Sequence, residues 1–321
     1  MQTRAPTPAV QHELRGMLTA TSVAAAAVLL LASVDVNFPA QDIFQSLRFH
    51  LGVAALTLPL LLFAVGARWR AIGMLLIIVA SLVQGGWIIQ GQRASRAAAT
   101  DPATHFQVFS FNVLANSEQG QNVAEYIEKS DFDVVVLMES PGIERALERL
   151  ERTLPYRVGC ADTVTCDLTV LSRTPITDAT VHLLGPFQRE RFVTATTMIG
   201  GRTVTVAALH LSKPYHDGAA VAELWQVSHI LESIEGPLVV AGDFNAAPWS
   251  DSVVRFIRRN ALSPAPAYPA TWPVRLGGLG VPIDSIYTRG GLQVETIRAS
   301  EENFGSNHRG LVAQVGSVVS E

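Results

Sequence analysis

The sequence predicts an α/β domain, in which packed β-sheets are covered by helices, preceded by three transmembrane helices. The N-terminal part contains three long runs without a charged residue, whereas the remainder contains many short apolar runs of strand length and few long helical patterns. Only 16% of the 321 residues are charged, which is low for a soluble domain, and 48% are apolar. This composition excludes a disordered chain, a collagen-like chain and a small disulfide scaffold.

The predicted spans are Met17–Val34, Leu51–Gly66 and Ala71–Gln90, with 18, 16 and 20 residues free of charge. A bilayer core of about 30 Å requires about 20 apolar residues in a helix. The second run is short and contains Pro59, which a membrane helix tolerates where neighbouring groups satisfy the freed carbonyl. The alternative is a cleaved signal peptide followed by buried core helices, but no small-residue cleavage site follows the first run.

The arginine distribution predicts the orientation of the spans. Arg4 and Arg15 precede the first span, and Arg68 and Arg70 lie between the second and third, whereas Arg48 alone lies between the first and second. Because positively charged loops stay in the cytoplasm, three spans place the remainder of the chain outside the cytoplasmic membrane. The predicted domains are therefore a membrane anchor over 1–100 and a second domain over 101–321.

The second domain is predicted to alternate strands and helices after a polar linker at 92–103. The run DVVVLM at 133–138 is apolar throughout, as expected for a strand buried on both faces. A loop rich in proline and glycine covers 263–280. The other strand candidates are 105–113, 166–172, 203–209, 237–241, 283–288, 292–298 and 311–315, and the helix candidates are 121–129, 143–154, 219–234 and 251–260.

Polar residues mark the ends of these apolar strands, where loops beside a rigid sheet commonly carry active sites. Acidic and amide oxygens favour Mg²⁺ or Mn²⁺ over zinc, and the sequence has no cluster of Cys and His at zinc spacing. The residues in question are Asn112, Glu139, His210, Asp243, Asn245, Asp284 and His308.

Six short motifs in order make the chain resemble the endonuclease/exonuclease/phosphatase superfamily, whose members share a DNase I-like fold. The resemblance covers His105 to the end of the chain and implies a four-layer sandwich of two mixed β-sheets flanked by helices. The motifs are FN at 111–112, LME at 137–139, LHL at 209–211, GDFNAAPWS at 242–250, PIDSI at 282–286 and SNHR at 306–309.

The resemblance also implies a metal site. Glu139 corresponds to the principal Mg²⁺ ligand, with Asn112 beside it, and Mn²⁺ is an alternative ion. The family usually has an aspartate directly before the last histidine, where it helps to hold the metal, but this chain has Asn307. An amide keeps one oxygen and loses the charge, so the resemblance implies a weaker or more Mn²⁺-tolerant site.

The remaining roles implied by the resemblance are catalytic. Asp243 corresponds to the acid that orients or activates the attacking water, and Asn245 to a hydrogen-bond partner of the phosphate. His308 with Asp284 corresponds to the Asp–His pair, which serves as a general base or a phosphate-binding cation. His210 corresponds to a histidine on the opposite side, a general acid or phosphate clamp. The chemistry implied is metal-assisted attack of water on phosphorus.

Charge and membrane attachment bear on the substrate. The region 1–100 has a net charge of +4, whereas 101–321 has 17 basic and 25 acidic residues and a net charge of −8. Because nucleic-acid binding favours a basic surface, a membrane-anchored nuclease is the less favoured alternative. The three predicted spans resemble a membrane-bound bacterial group similar to a teicoplanin-resistance membrane protein. We therefore expect a hydrolase of a lipid-linked phosphate ester; a catalytically lapsed binding module is the other alternative.

Two cysteines, Cys160 and Cys166, lie across a predicted turn at 161–165. Outside the cytoplasm they are expected to form a disulfide, and the alternative is two reduced thiols.

The Asn307→Asp variant tests the metal site that the resemblance implies. Restoring the charge is expected to tighten Mg²⁺ binding and to reduce the preference for Mn²⁺, as measured by metal titration and by the hydrolytic rate with each ion. Unchanged affinity and rate would contradict this expectation.

Overall fold

The computed structural model describes residues 8–36, 40–96, 100–160, 166–215 and 218–318. Arg4, part of the predicted linker at 97–99 and the turn predicted at 161–165 lie outside these residues. The chain divides into two compact units, Met1–Gln90 and Gly91–Glu321.

The first unit is helical. Two of its helices, Ala9–Leu31 and Arg68–Ala94, are long and apolar enough to cross a membrane. They correspond to the first and third predicted spans. The described helices that begin in this unit are α1 (Pro8–Leu31), α2 (Gln41–Ser46), α3 (Arg48–Ala55), α4 (Thr57–Ala64) and α5 (Arg68–Ala94).

The second predicted span does not form one long helix. Its residues belong to the short helices α3 and α4, which meet at Leu56. Pro59 lies in the first turn of α4 and has no N–H to donate to the carbonyl of Ala55, so the hydrogen bond that would join the two helices is missing. The described residues therefore contain two of the three predicted spans as helices of sufficient length.

The described residues of the second unit form two β-sheets, and four α-helices begin within them. The strands are β1 (Thr100–Asn112), β2 (Val134–Met138), β3 (Tyr156–Gly159), β4 (Thr169–Ser172), β5 (Ile176–Leu184), β6 (Arg189–Ile199), β7 (Arg202–His210), β8 (Leu238–Asp243), β9 (Asp284–Arg289), β10 (Leu292–Ala299) and β11 (Leu311–Val318). The helices are α6 (Gly120–Glu128), α7 (Leu147–Leu150), α8 (Ala219–Glu232) and α9 (Asp251–Arg259).

Both sheets are mixed. The first sheet has the strand order β10-β11-β1-β2-β4-β3, and the second has the order β5-β6-β7-β8-β9. Each contains one parallel pair, β1 with β2 and β7 with β8, among antiparallel neighbours. The prediction of an α/β fold with two mixed sheets flanked by helices is therefore confirmed.

Alternating side chains build the layers. In β1, Val108 packs into the core between the two sheets, whereas Phe109 packs on the other face with residues of α6. In β8, Val239 joins the inner core and Val240 packs against the helices α8 and α9. Because these strands are covered on both faces, their sequences are apolar without interruption.

The strand register brings the predicted site residues together at one end of the strands in each sheet. In the second sheet, His210 pairs with Asp243, and Asp243 pairs with Asp284. In the first sheet, Asn112 pairs with Met138, directly before Glu139. The carboxyl ends of both parallel pairs thus carry polar side chains, and the fold positions the site there.

Gly242 allows β8 to approach β7 at this edge. Its φ is +151°, and a Cβ at this position would lie 1.9 Å from the carbonyl oxygen of Leu209. Gly242→Ala is expected to lower the free energy of unfolding by more than about 3 kcal/mol, because two backbones must separate. Gly278→Ala is the control, since a Cβ there meets nothing within 4 Å. Urea unfolding of the detergent-solubilised protein measures both, and equal midpoints would contradict the expectation.

Candidate active site

Asn112 links the two sheets at the strand ends that carry the predicted site residues. Its Nδ2 donates a hydrogen bond to Glu139 Oε1 at 3.1 Å and to Asp243 Oδ2 at 3.2 Å. The second oxygen of Glu139 accepts the backbone N–H of Ala115 at 2.9 Å. Asn112 and Asp243 are both buried, so one amide holds two carboxylates from different strands in fixed positions.

Several non-glycine residues of the surrounding loops have a left-handed backbone. The φ angles are 66° at Leu114, 55° at Glu139 and 51° at Asn245. Such conformations cost energy in residues other than glycine and persist where the surrounding structure requires them. Glu139 ends β2 in this conformation and begins a short 3₁₀ turn at Ser140–Gly142, which directs its carboxylate toward Asn112.

His308 and Asp284 form the pair implied by the family resemblance. His308 Nδ1 lies 2.9 Å from Asp284 Oδ2, and its Nε2 lies 3.8 Å from Asp243 Oδ2. Burial lowers the pKa of His308, but the charges of Asp284 and Asp243 outweigh it and raise the pKa to about 9. At neutral pH this imidazole is therefore a cation in the metal-free protein.

His210 occupies the other side of Asp243. Its Nδ1 lies 3.1 Å from Asp167 Oδ2, and its Nε2 lies 3.9 Å from Asp243 Oδ2. Burial lowers the pKa of His210, but the hydrogen bond and charge of Asp167, with the charge of Asp243, raise it overall. Arg191 Nη2 lies 3.3 Å from the same oxygen of Asp167. Asp243 is thus flanked by two imidazoles, each held by its own carboxylate.

Asp167 is a site residue that the sequence analysis missed. It follows Cys166 directly before β4, but the predicted strand began at Cys166 and placed Asp167 inside it. The structure begins β4 at Thr169, which leaves Asp167 in the connection at the strand end. Elsewhere, a polar residue at the end of an apolar strand indicated a site residue. With the strand predicted to begin at Thr169 instead of Cys166, Asp167 would have lain outside the strand and would have met the same criterion.

The segment around Asp167 is fixed on both sides. Cys160 and Cys166 are joined by a disulfide, as expected from the sequence. The carbonyl of Asp167 accepts the backbone N–H of Ser140 at 2.8 Å, next to Glu139. The position of the Asp167 carboxylate therefore depends on both the disulfide and the strand end that carries Glu139.

Asp243 and Asn245 lie in one tight turn after β8. Asn245 donates its backbone N–H to Asp243 Oδ1 at 2.8 Å, and its side-chain Nδ2 donates to the carbonyl of Leu211 at 2.8 Å. Burial, followed by the charge of Asp284, raises the pKa of Asp243 despite the two imidazoles. Both hydrogen bonds use N–H groups of Asn245, and within the described residues no donor to its side-chain oxygen is found.

Asn307 differs from the other predicted site residues because it is exposed. Its carbonyl accepts the backbone N–H of Val274 at 3.2 Å. Within the described residues, no hydrogen bond joins its side chain to Glu139 or Asn112. The structure therefore brings together seven of the eight predicted site residues and leaves the Asn307 side chain at the surface.

The donor set fits a divalent cation with oxygen ligands. Ligand atoms of Asp243, Asp284 and His308 lie within 4.8 Å of one another. Asp284 Oδ1 is buried without a hydrogen-bond partner in the described part of the chain. Glu139 adds a half-buried carboxylate beside Asn112. Several carboxylates in so small a volume repel one another, which a bound cation relieves.

Comparison with known proteins agrees with this geometry. The model of the Endonuclease/Exonuclease/phosphatase family matches residues 109–308. An endonuclease/exonuclease/phosphatase from Beutenbergia cavernae is similar in structure, with a TM-score of 0.56, 20% identity and coverage of 67% of this chain and 72% of that chain. No curated protein matches the sequence significantly.

Two further solved structures share the fold at lower identity. A beta toxin from Staphylococcus aureus with bound magnesium ions has a TM-score of 0.53 and 15% identity, over 65% of this chain and 99% of that chain. D. rerio TDP2 in complex with single-stranded DNA product has a TM-score of 0.56 and 13% identity, over 67% of this chain and 100% of that chain. These similarities show the fold.

Asp167→Asn tests the pairing with His210. Removing the negative charge is expected to lower the pKa of His210, so that its ring loses the proton at a lower pH, and to reduce turnover roughly 10²-fold. NMR titration of the ring in metal-free, detergent-solubilised protein measures the first effect, and steady-state kinetics the second. Asp178→Asn is the control, because Asp178 is exposed on β5. An unshifted titration would show that the pairing does not control His210.

Proposed function

Because the chain belongs to the endonuclease/exonuclease/phosphatase family, we propose that it is a membrane-tethered, metal-dependent hydrolase of a lipid-linked phosphate ester. The observation that carries the hydrolase proposal is the buried Asp243 between two imidazole–carboxylate pairs, His308 with Asp284 and His210 with Asp167. An acid with a raised pKa, flanked by two imidazoles whose pKa values are also raised, can move protons and neutralise a phosphate in the same volume.

Glu139 and Asn112 are the residues proposed to hold the metal, with Mg²⁺ the expected ion and Mn²⁺ the alternative. A bound divalent cation would polarise a phosphoryl oxygen and neutralise charge that develops on it. Asn112 Oδ1 already faces the backbone N–H of Leu114 at 3.2 Å, so the Glu139 carboxylate is the stronger candidate of the two. Asn307 remains a proposed outer ligand, because it directly precedes His308.

The side chains suggest how the protons move. Asp243 would accept a proton from the attacking water as the new P–O bond forms. The bond to the leaving oxygen then breaks, and a protonated imidazole would supply its proton. His308, with its pKa of about 9, is a cation near neutral pH, which favours phosphate binding or proton donation over the role of general base. Asn245 would bind a phosphate oxygen.

Several observations support a lipid-linked substrate outside the cytoplasm. Two helices in the described part of the chain are long and apolar enough to cross a membrane, and the second predicted span and the orientation stay proposals from the sequence. The disulfide suits an oxidising compartment. The net charge of −8 over 101–321 disfavours nucleic acid, although a nuclease remains the competing activity within the family.

A substrate panel tests the proposal. The full-length protein, in detergent with Mg²⁺, is assayed on a polyprenyl pyrophosphate, a phospholipid and plasmid DNA. We expect hydrolysis of a lipid substrate that EDTA abolishes and that His308→Ala reduces by roughly 10³-fold. Cleavage of DNA alone, abolished in the variant, would favour a nuclease. Absence of turnover together with absence of Mg²⁺ or Mn²⁺ binding would favour a lapsed binding module.

A further inference from the structure

A closed, apolar loop borders the active site; we call Trp272–Val281 the apolar loop. Trp272 and Val281 pair at its base, where the backbone N–H of Trp272 donates to the carbonyl of Val281 at 3.1 Å. A 3₁₀ segment, Val274–Leu279, forms the rest. Within it, Leu276 donates its N–H to the carbonyl of Pro273 at 3.0 Å. These hydrogen bonds close the loop at its base and fold the turn at 273–276.

The base of the apolar loop is attached to the catalytic pair. Thr271 Oγ1, next to the loop, accepts the backbone N–H of Asp284 at 3.3 Å. The carbonyl of Thr271 accepts the N–H of Arg309 at 2.9 Å, one residue after His308. Val274, in the loop itself, donates to the carbonyl of Asn307. The loop thus begins within a few residues of both members of the Asp284–His308 pair.

The apolar loop exposes large side chains to solvent. Leu279 is 74% exposed, the largest fraction for a large apolar residue in the described part of the second unit, and Leu276 is 48% exposed. Trp272 at the base is 38% exposed, and Arg275 between them is also exposed. Single exposed apolar residues are common, but three within eight residues on a loop beside the candidate active site indicate a contact surface.

The opposite side of the active site has a similar composition. Lys213 and Tyr215 follow His210 at the end of β7, and both are exposed. His210 ends β7, Asp284 begins β9, and both pair with Asp243 at the end of β8. The segment with Lys213 and Tyr215 and the apolar loop therefore leave the second sheet at the same end of its strands. Apolar side chains combined with Lys and Arg are the composition of segments that bind a lipid interface, where the cations meet the headgroup phosphates.

We propose that the apolar loop inserts Leu276 and Leu279 into the bilayer surface, with Arg275 at the level of the headgroup phosphates. The occupant is a lipid bilayer, since the same chain contains two helices long and apolar enough to cross one. The active site then meets a phosphate ester whose lipid part stays in the leaflet. This inference rests on the proposed function for its substrate class, but the contact with lipid is testable without catalysis.

Nitroxide labelling tests the contact. The full-length protein in liposomes is labelled at Leu279→Cys or, as a control, at Met198→Cys under non-reducing conditions. Met198 is 53% exposed and lies at the opposite end of β6 from the site edge. We expect the label at 279 to be accessible to oxygen and shielded from a water-soluble nickel chelate, and the label at 198 to show the reverse. Equal access of the chelate to both labels overturns the proposal. Shielding of the label at 279 from both reagents also overturns it, because it indicates a protein partner.

Kinetics separate docking from structural damage. The double variant Leu276→Glu/Leu279→Glu is expected to lose at least tenfold in kcat/KM on a phosphate ester embedded in vesicles. Its kcat/KM on soluble bis(p-nitrophenyl) phosphate should be unchanged, as should both values for the control Met198→Glu. Equal losses on both substrates overturn the proposal. If the unaltered protein hydrolyses neither substrate, the proposed function fails, and the label at 279 still decides whether the loop meets lipid.

Discussion

The buried carboxylate of Asp243 is the group on which the rest of the site depends. It lies at the end of β8 and is contacted by Asn112 from the other sheet and by two imidazoles. Burying an unpaired charge costs several kcal/mol, so each contact is needed for the folded state as well as for chemistry. These contacts also connect the two sheets at the ends of their strands. The site residues therefore stabilise the packing of one sheet on the other.

The charges of the site are arranged in alternation. Asp284, His308, Asp243, His210 and Asp167 follow one another at contacts between 2.9 and 3.9 Å, so that each imidazole lies between two carboxylates. Such an arrangement favours the protonated imidazoles and leaves Asp243 the acid with the raised pKa. A proton added or removed anywhere along this line changes the electrostatic environment of every member.

Much of this architecture was predictable, because buried strands have continuous apolar sequences and the site residues end them. DVVVLM and PLVVA both correspond to strands covered on two faces. The strands β3, β5 and β6 were not predicted; in β5 and β6, Thr, Asp and Arg interrupt the apolar pattern along partly exposed faces. The helix expected at 143–154 is instead one 3₁₀ turn, Glu144–Ala146, and the short α7. Tertiary packing, which periodicity does not encode, decided these cases.

The middle span and Asp167 show two further limits. A count of apolar residues does not register Pro59, whose missing N–H removes one hydrogen bond at the junction of α3 and α4, nor that the apolar stretch Arg48–Ala64 is shorter than the two long helices. Similarly, the pairing of Asp167 with His210 joins residues 43 positions apart and has no local pattern. Asn307 illustrates the converse: a motif position identifies a residue but not the direction of its side chain.

The strand order of the first sheet has a consequence for biosynthesis. β1, the first strand of the chain, lies between β2 and β11. The side of β1 that does not pair with β2 can therefore pair only with β11, the last strand of the chain. Ser306 also donates from its hydroxyl to the carbonyl of Asn112, across 194 positions. Contacts of such separation close a long loop and form slowly. During synthesis, therefore, β1 waits with an unpaired edge until the C-terminal strand emerges, and the catalytic residues cannot assemble before translation is nearly complete.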